Sequence, residues 1–361
     1  MDSHAASKWL LYGATGYTGR LIAREAMKRG LRPILAGRDR KAVGKLAAEL
    51  GCDSRVFALN APASVAANLH DVQAVLNCAG PFTRTAPTLI AACLQAKVSY
   101  LDITGEIEVI EHAAAQNDAA RAAGIVLMPA VGFDVIPTDC LAATLASALP
   151  EATHLTLAFT GSEASPGTAK TILAGLPEGG RARVAGRIEK VPVAWKKRTI
   201  PFSTGPREAT SIPWGDVSSA YYTTGIPNID VLMAVDEVSA NQMRKLRQLA
   251  PLLKLSVLRS VADWLVDRLV KGPTDDDMAK QRTHLWGETR DAAGRTASAT
   301  LDTPNGYRLT SYTAVAAVER LLKGGVEPGF QTPARAFGKE FILTMPDVQM
   351  SSIVVSEPPI A

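Results

Sequence analysis

The sequence predicts an α/β fold: a doubly wound parallel sheet at the N-terminus followed by a second, α+β domain. Three observations carry that expectation. Short apolar strands alternate with helical stretches as far as residue 129. A glycine-rich turn joins the first strand to the first helix, and from residue 153 the texture changes to strands of alternating polarity. Strand and helix in alternation give a parallel sheet covered on both faces, whereas half-polar strands give an antiparallel one.

Lys8 to Tyr12 is an apolar strand, Gly13-Ala14-Thr15-Gly16-Tyr17-Thr18-Gly19 is the turn, and Arg20 to Lys28 is a helix with Leu21, Ile22 and Ala26 on its apolar face. The strand Pro33 to Ala36 leads into a helix from Lys41 to Leu50, and Arg55 to Leu59 and Ala74 to Cys78 are strands three and four. A helix from Ala86 to Ala96, the strand Ser99 to Ile103, one helix over 108–123 and the strand Ile125 to Pro129 complete the alternation. The next helix, Asp139 to Leu149, holds the boundary between domains 1–145 and 146–361.

In the second domain, Thr153 to Thr160, Arg198 to Phe202, Val231 to Val235, Thr283 to Arg290 and Thr296 to Asp302 read as strands of a mainly antiparallel sheet. Asp291 to Gly294 is a hairpin turn. Between them, Asn241 to Lys271 is helical, reset at Pro251, with Leu246, Leu249, Leu253, Val257, Val261 and Leu265 forming one apolar stripe. Basic residues such as Arg244, Lys245, Arg247 and Lys254 flank it. Packing on the second domain explains the stripe; a membrane surface, an acidic carrier protein or an acyl-chain substrate are the other partners that a basic amphipathic helix serves.

Composition removes several classes of function. With 361 residues, 47% hydrophobic, the chain suffices for two cores. Its 39 Lys and Arg against 35 Asp and Glu give no argument for a nucleic-acid partner. The four cysteines, Cys52, Cys78, Cys93 and Cys140, lie singly, without CxxC spacing, as reduced thiols do in a cytoplasm. A short polar lead running straight into a strand is the wrong order of parts for a signal peptide, and no apolar run has membrane-spanning length. The five histidines are isolated and no HExxH occurs, so no metal is assigned.

The turn is the first chemical motif. In a Rossmann domain the glycines here at 13, 16 and 19 let the chain turn tightly, admit a pyrophosphate to backbone amides and seat the helix on the strand. The spacing is GxxGxxG, a variant of the commoner GxGxxG, and its place between strand one and helix one gives it weight. NAD-binding domains hold the ribose 2′-hydroxyl with an acidic residue about 20 positions on. This chain reads Ala36-Gly37-Arg38-Asp39-Arg40-Lys41 there, so Arg38, with Arg40 or Lys41 beside it, is placed to meet the 2′-phosphate of NADP.

Other strand ends face the same edge. Ala79-Gly80-Pro81-Phe82 is a small-residue segment for the ribose and nicotinamide, followed by Thr104 and Gly105 and by Gly132-Phe133-Asp134. Asp102 and Glu106 read as helix caps, and Asp139 as an N-cap. No tyrosine has Lys four positions later, which removes the Tyr-x-x-x-Lys donor of short-chain dehydrogenases. The candidate proton donor is Tyr222, in a loop near Trp214 and Asp216, with Asp134 and Lys170 as alternatives. Tyr221 and Tyr222 are adjacent, so in a strand only one of them faces the cleft.

Five N-terminal segments carry a family resemblance: Gly13 to Arg20, Leu35 to Arg38, Asn77 to Phe82, Tyr100 to Glu106 and Gly132 to Asp139. Pro213 to Asp216, Thr224 to Pro227 and Pro328 to Ala334 extend it downstream. Through them the chain resembles the saccharopine-dehydrogenase-like oxidoreductases, and within them the trans-acting enoyl reductase branch. The resemblance implies an NADP-type Rossmann domain, an α+β substrate domain and a C-terminal segment that returns to the first. It also implies NADPH-dependent reduction of an activated C=C bond in an acyl or polyketide-derived substrate. Imine or amine chemistry of the saccharopine type and a non-catalytic NADP sensor are the competing readings. A dicarboxylic amino-acid substrate calls for an arginine clamp, and Arg181, Arg183 and Arg187 are scattered.

Overall fold

In the computed structural model, which describes residues 8–161, 179–192, 194–234, 268 and 272–358, the N-terminal elements run β1 (Trp9–Tyr12), α1 (Tyr17–Lys28), β2 (Ile34–Gly37), α2 (Arg40–Leu50), β3 (Ser54–Val56), α3 (Pro62–Ala66) and β4 (Ala74–Asn77). They continue as α4 (Phe82–Ala96), β5 (Ser99–Asp102), α5 (Ile107–Ala115), α6 (Asn117–Ala123), β6 (Val126–Met128) and α7 (Ile136–Ala148). β7 (Ala152–Thr160), β8 (Gly180–Val184), β9 (Arg187–Val191), β10 (Lys197–Phe202), β11 (Gly205–Ser211), α8 (Asp216–Thr224), β12 (Asn228–Ala234), α9 (Asp275–Lys280), β13 (Arg282–Asp291) and β14 (Thr296–Pro304) follow. Then come α10 (Gly306–Leu322), β15 (Gly329–Phe330), α11 (Pro333–Phe337), a short 3-10 turn (Phe341–Thr344), β16 (Gln349–Met350) and β17 (Val354–Ser356).

Two compact units result. The first comprises Met1–Ile136 and Tyr307–Gly338, the second Pro137–Gly306 and Lys339–Ala361. The division falls at the start of α7, nine residues before the boundary drawn at residue 145.

The first unit holds a seven-stranded sheet in the order β15-β6-β5-β4-β1-β2-β3, every pair parallel. Helices cover both faces of such a sheet, which is why β1, β2 and β4 are continuous runs of buried residues rather than alternating ones. α1 turns Gly19, Ile22, Ala23 and Ala26 inward, the i, i+3, i+4, i+7 spacing of one helical face. The stretch 108–123 is two helices rather than one. The break at Gln116 sets Asn117 where its Oδ1 accepts from the Phe330 N–H at 3.1 Å, so the interruption serves β15.

The second unit holds a ten-stranded sheet with the path β10-β11-β12-β7-β13-β14-β16, antiparallel except for the parallel pair β7 and β12. The β13–β14 hairpin closes where Asp291 accepts from the Arg295 N–H at 2.9 Å. Ala158, Ile200, Phe202, Ala209, Leu232 and Trp286 form one core cluster. α7 lies so close to β13 that a Cβ on Gly287 would come within 2.7 Å of the Leu145 side chain. Asp139, expected to cap this helix, lies instead in its first turn, and its carboxylate accepts from the Thr223 hydroxyl.

Candidate functional site: the carboxyl edge of the parallel sheet

The strand order of the first unit reverses at β1, which lies between β4 and β2. Open α/β sheets bind ligands in the crevice outside the strand ends at such a reversal. The glycine turn lies there. Gly13 has φ of +79°, a conformation that a Cβ strains, and an added Cβ would lie 2.7 Å from the Ala79 nitrogen and 2.8 Å from the Cys78 carbonyl carbon. Gly19 lets α1 come down on the turn, where a Cβ would stand 2.3 Å from the Gly13 oxygen. Gly16 differs from both. It is exposed, at φ −68° and ψ 168°, and it is the N-cap of a helix with no side-chain cap and no acidic residue in its first turn. First-turn amides and the helix dipole at such a terminus favour anions.

Arg38 is exposed just beyond β2. The Asp39 carboxylate beside it accepts from the Lys41 and Ala42 N–H groups at 2.9 and 3.1 Å, which commits it to capping α2.

A buried polar network binds the ends of β4 and β5. Tyr100 donates to Asp102 Oδ2 at 2.7 Å, Asn77 Nδ2 donates to the Tyr100 oxygen at 3.2 Å, and all three residues are fully buried. Asn77 Oδ1 accepts from the Ala79 N–H at 3.0 Å and Thr85 donates to the Ala79 carbonyl at 2.6 Å, fixing the loop before Pro81, which follows a cis Gly80–Pro81 peptide. Burial pushes the Asp102 carboxyl up to about 6 against the lowering effect of its hydrogen bonds.

Glu106 precedes α5, yet its two oxygens accept from the Phe82 and Thr83 N–H groups at 2.9 and 2.7 Å and so cap α4. The capping expectation holds for a different helix. Asp134 stands against Gly105, where an added Cβ would lie 2.8 Å from its Oδ2. Burial, with the Glu106 charge adding to it, pushes the Asp134 carboxyl up to about 7. It therefore carries a proton for much of the time at neutral pH.

The first unit thus contains Gly13, Ala14, Thr15, Gly16, Tyr17, Thr18, Gly19, Arg38, Ala79, Gly80, Pro81, Phe82, Thr104, Gly105 and Asp134, all in the loops that follow strands or in the first turn of the helix after them. Tyr222 belongs to the second unit. It lies on the helix α8, not in a loop or strand, and its ring meets that of Tyr221 edge-on at 5.9 Å. Lys170 and the 241–271 stretch, Arg268 apart, fall outside the described residues. Local sequence gave no sign of Tyr307, whose ring meets Tyr17 edge-on at 5.2 Å, or of Thr310, which accepts from the Phe133 N–H at 3.0 Å. Among the described residues, no group of three or more His, Cys, Asp or Glu is arranged to hold a metal, and no helix is long and apolar enough to cross a membrane.

Residues 9–128 match the family model described as the saccharopine dehydrogenase NADP binding domain. Trans-acting enoyl reductases of Mycobacterium leprae and Mycobacterium bovis are 33% and 34% identical over 138 and 143 residues, 36% of this chain. The chain spans about a third of the length of these curated relatives, 33% in each case. The apo saccharopine dehydrogenase (L-Glu forming) of Saccharomyces cerevisiae superimposes with a TM-score of 0.64 over 96% of this chain and 100% of that one, at 12% identity. That likeness establishes a shared fold.

Proposed function

We propose that this chain, whose residues 9–128 carry a saccharopine dehydrogenase type of NADP binding domain, is an NADPH-dependent oxidoreductase that reduces an activated C=C bond of an acyl or polyketide-derived substrate. The observation that carries this reading is the meeting, on one sheet edge, of an uncapped helix N-terminus, an exposed arginine beyond β2 and a carboxyl that holds its proton near neutral pH.

A dinucleotide phosphate fits the residues present. Gly16 offers no side chain where the pyrophosphate would approach, α1 offers its first-turn amides, and Arg38 offers a guanidinium to the 2′-phosphate. When bound, NADPH supplies the hydride. The protein's contribution is to orient both partners and to furnish the proton that a C=C reduction also requires. Asp134 is the favoured donor over Tyr222 because it shares a unit with the glycine turn and its carboxyl is pushed up to about 7 by burial. Ala79 to Phe82, Thr104 and Gly105, of which Phe82 and Thr104 are buried, stand in loops fixed by hydrogen bonds and would line the cofactor.

The resemblance to trans-acting enoyl reductases, over 138 and 143 residues, supports the C=C reading over imine or amine chemistry. The test is NADPH oxidation at 340 nm with enoyl thioesters and, in parallel, with cyclic imines. Turnover of the enoyl series is expected. Turnover of imines alone would move the chain to the amine-oxidising class, and tight NADPH binding with no turnover of either would make it a sensor.

A further inference from the structure

We infer that Asp102 is the positioning residue of this edge: its side chain and its main-chain carbonyl together hold the turn that delivers Asp134 to Gly105. The inference rests on the reading that Asp134 is the proton donor.

Asp102 ends β5 and is fully buried. Its Oδ1 accepts from the Thr104 N–H at 3.0 Å and from the Ala130 N–H at 2.8 Å. Its carbonyl accepts from the Val131 N–H at 2.7 Å. Oδ2 accepts from the Tyr100 hydroxyl. One residue thus satisfies two consecutive amides of the loop after β6.

Those amides need holding because Ala130 has φ of +63°, a left-handed conformation that strains a residue with a Cβ. The far side of the loop is fastened by α10, through Thr310 to the Phe133 N–H and through the Thr313 hydroxyl to the Val131 carbonyl at 3.0 Å. Gly132 is squeezed between the two, with an added Cβ 3.1 Å from Thr310 and 3.3 Å from Ile103. Residues 130–133 are therefore clamped from both sides and Asp134 emerges in one place, against Gly105. Remove the Asp102 acceptor and the strained turn relaxes, carrying Asp134 away from Gly105 and Glu106.

The experiment compares Asp102→Asn with Asp102→Ala. Both abolish the charge, and only the first keeps an oxygen for the two amides. The readout is the titration midpoint of the Asp134 carboxyl, which burial pushes up to about 7 in the parent, followed by NMR in carboxyl-labelled protein. Glu106 is the charged group that faces Asp134, and neither variant alters it. Asp102→Ala is expected to lower the midpoint by about one unit or more, towards the ordinary aspartate range, while Asp102→Asn keeps it near the parent value. Equal shifts in the two variants would mean a charge effect, and no shift in either would mean no clamp; each result overturns the proposal. Should Asp102→Ala fail to fold, hydrogen exchange of the Ala130 and Val131 amides in the parent decides. Slow exchange supports the clamp, and rates typical of open loops refute it. NADPH affinity, measured on the same samples, separates this proposal from the functional one: a parent protein that binds no NADPH removes the reductase reading and leaves the Asp134 titration intact as a test.

Discussion

Gly16→Val separates the binding of the cofactor from the stability of its domain. Gly16 sits at φ −68° and ψ 168°, a region open to valine, and the nearest atom to an added Cβ is the Gly13 oxygen at 3.3 Å. The residue is exposed. Replacing a glycine N-cap by a β-branched residue costs a helix about 1 kcal/mol. In a unit of this size that lowers the melting temperature by about 2–4 °C. The valine side chain, however, would stand where the proposed pyrophosphate site meets the first-turn amides of α1. Loss of two hydrogen bonds to a charged group, at about 1.5–3 kcal/mol each, weakens binding by about 3 kcal/mol at least. That is a loss of about 100-fold or more in NADPH affinity.

Gly13→Ala is the contrasting case. Its Cβ would be driven into the Cys78–Ala79 backbone at a φ of +79°, so melting temperature should fall before affinity does. Fluorescence titration with NADPH, beside thermal unfolding of both variants, makes the comparison. Should Gly16→Val bind NADPH within about threefold of the parent, or lose affinity only together with its fold, the assignment of the turn is wrong.

Further outcomes follow from the same geometry. Arg38→Ala should weaken NADPH by about 10-fold or more and leave NADH nearly unchanged, since a charge-assisted contact to the 2′-phosphate is at stake; equal weakening of both would exclude that contact. Asp134 keeps its proton to about pH 7 when folded, whereas an unfolded aspartate releases it near pH ~4, so the native state binds more protons between those values and loses stability as pH rises through them. Asp134→Asn, which cannot ionise, should therefore gain in melting temperature relative to the parent between pH 5 and pH 8, and a pH-independent difference would contradict the burial of that charge. In turnover the same variant should lose about 100-fold or more while Tyr222→Phe loses little; the reverse pattern would identify Tyr222 as the donor. Glu106→Ala should cost about 1–2 kcal/mol by uncapping α4 and should move the Asp134 titration down, both readable from thermal unfolding and NMR.

How much of this was legible in the sequence depended on the range of the interaction. The glycine turn, the apolar runs of β1, β2 and β4 and the polarity change at β7 are written within a few residues, and local periodicity reads them. The helical state of Tyr222 was also within reach, since α8 stops at Gly225, left-handed at φ +73°, the common glycine signal past a helix end. Glu106 shows where local reading stops. A carboxylate just before a helix predicts a cap for that helix, while its actual donors lie 24 and 23 residues upstream. The partners of α10 are farther still, with Thr310 and Phe133 separated by 177 residues and Thr313 and Val131 by 182. No periodic pattern encodes such pairs. For the same reason the strained Ala130 turn and the role of Asp102 emerge only when strands are set beside one another.

The return of residues 307–338 also has a bearing on how the protein is made. A ribosome adding about 5–20 residues per second needs about 10–30 s to pass from Ile136 to Tyr307, and during that interval the nascent sheet lacks β15 and the helix that fastens the 130–133 turn. The edge strand β6 is then open on one side, a template for unwanted pairing. A fragment ending at residue 145, cut to isolate the nucleotide-binding half, would be held permanently in that unfinished condition. Soluble expression should demand the distal segment, supplied either in the full chain or by grafting 307–338 directly behind residue 136.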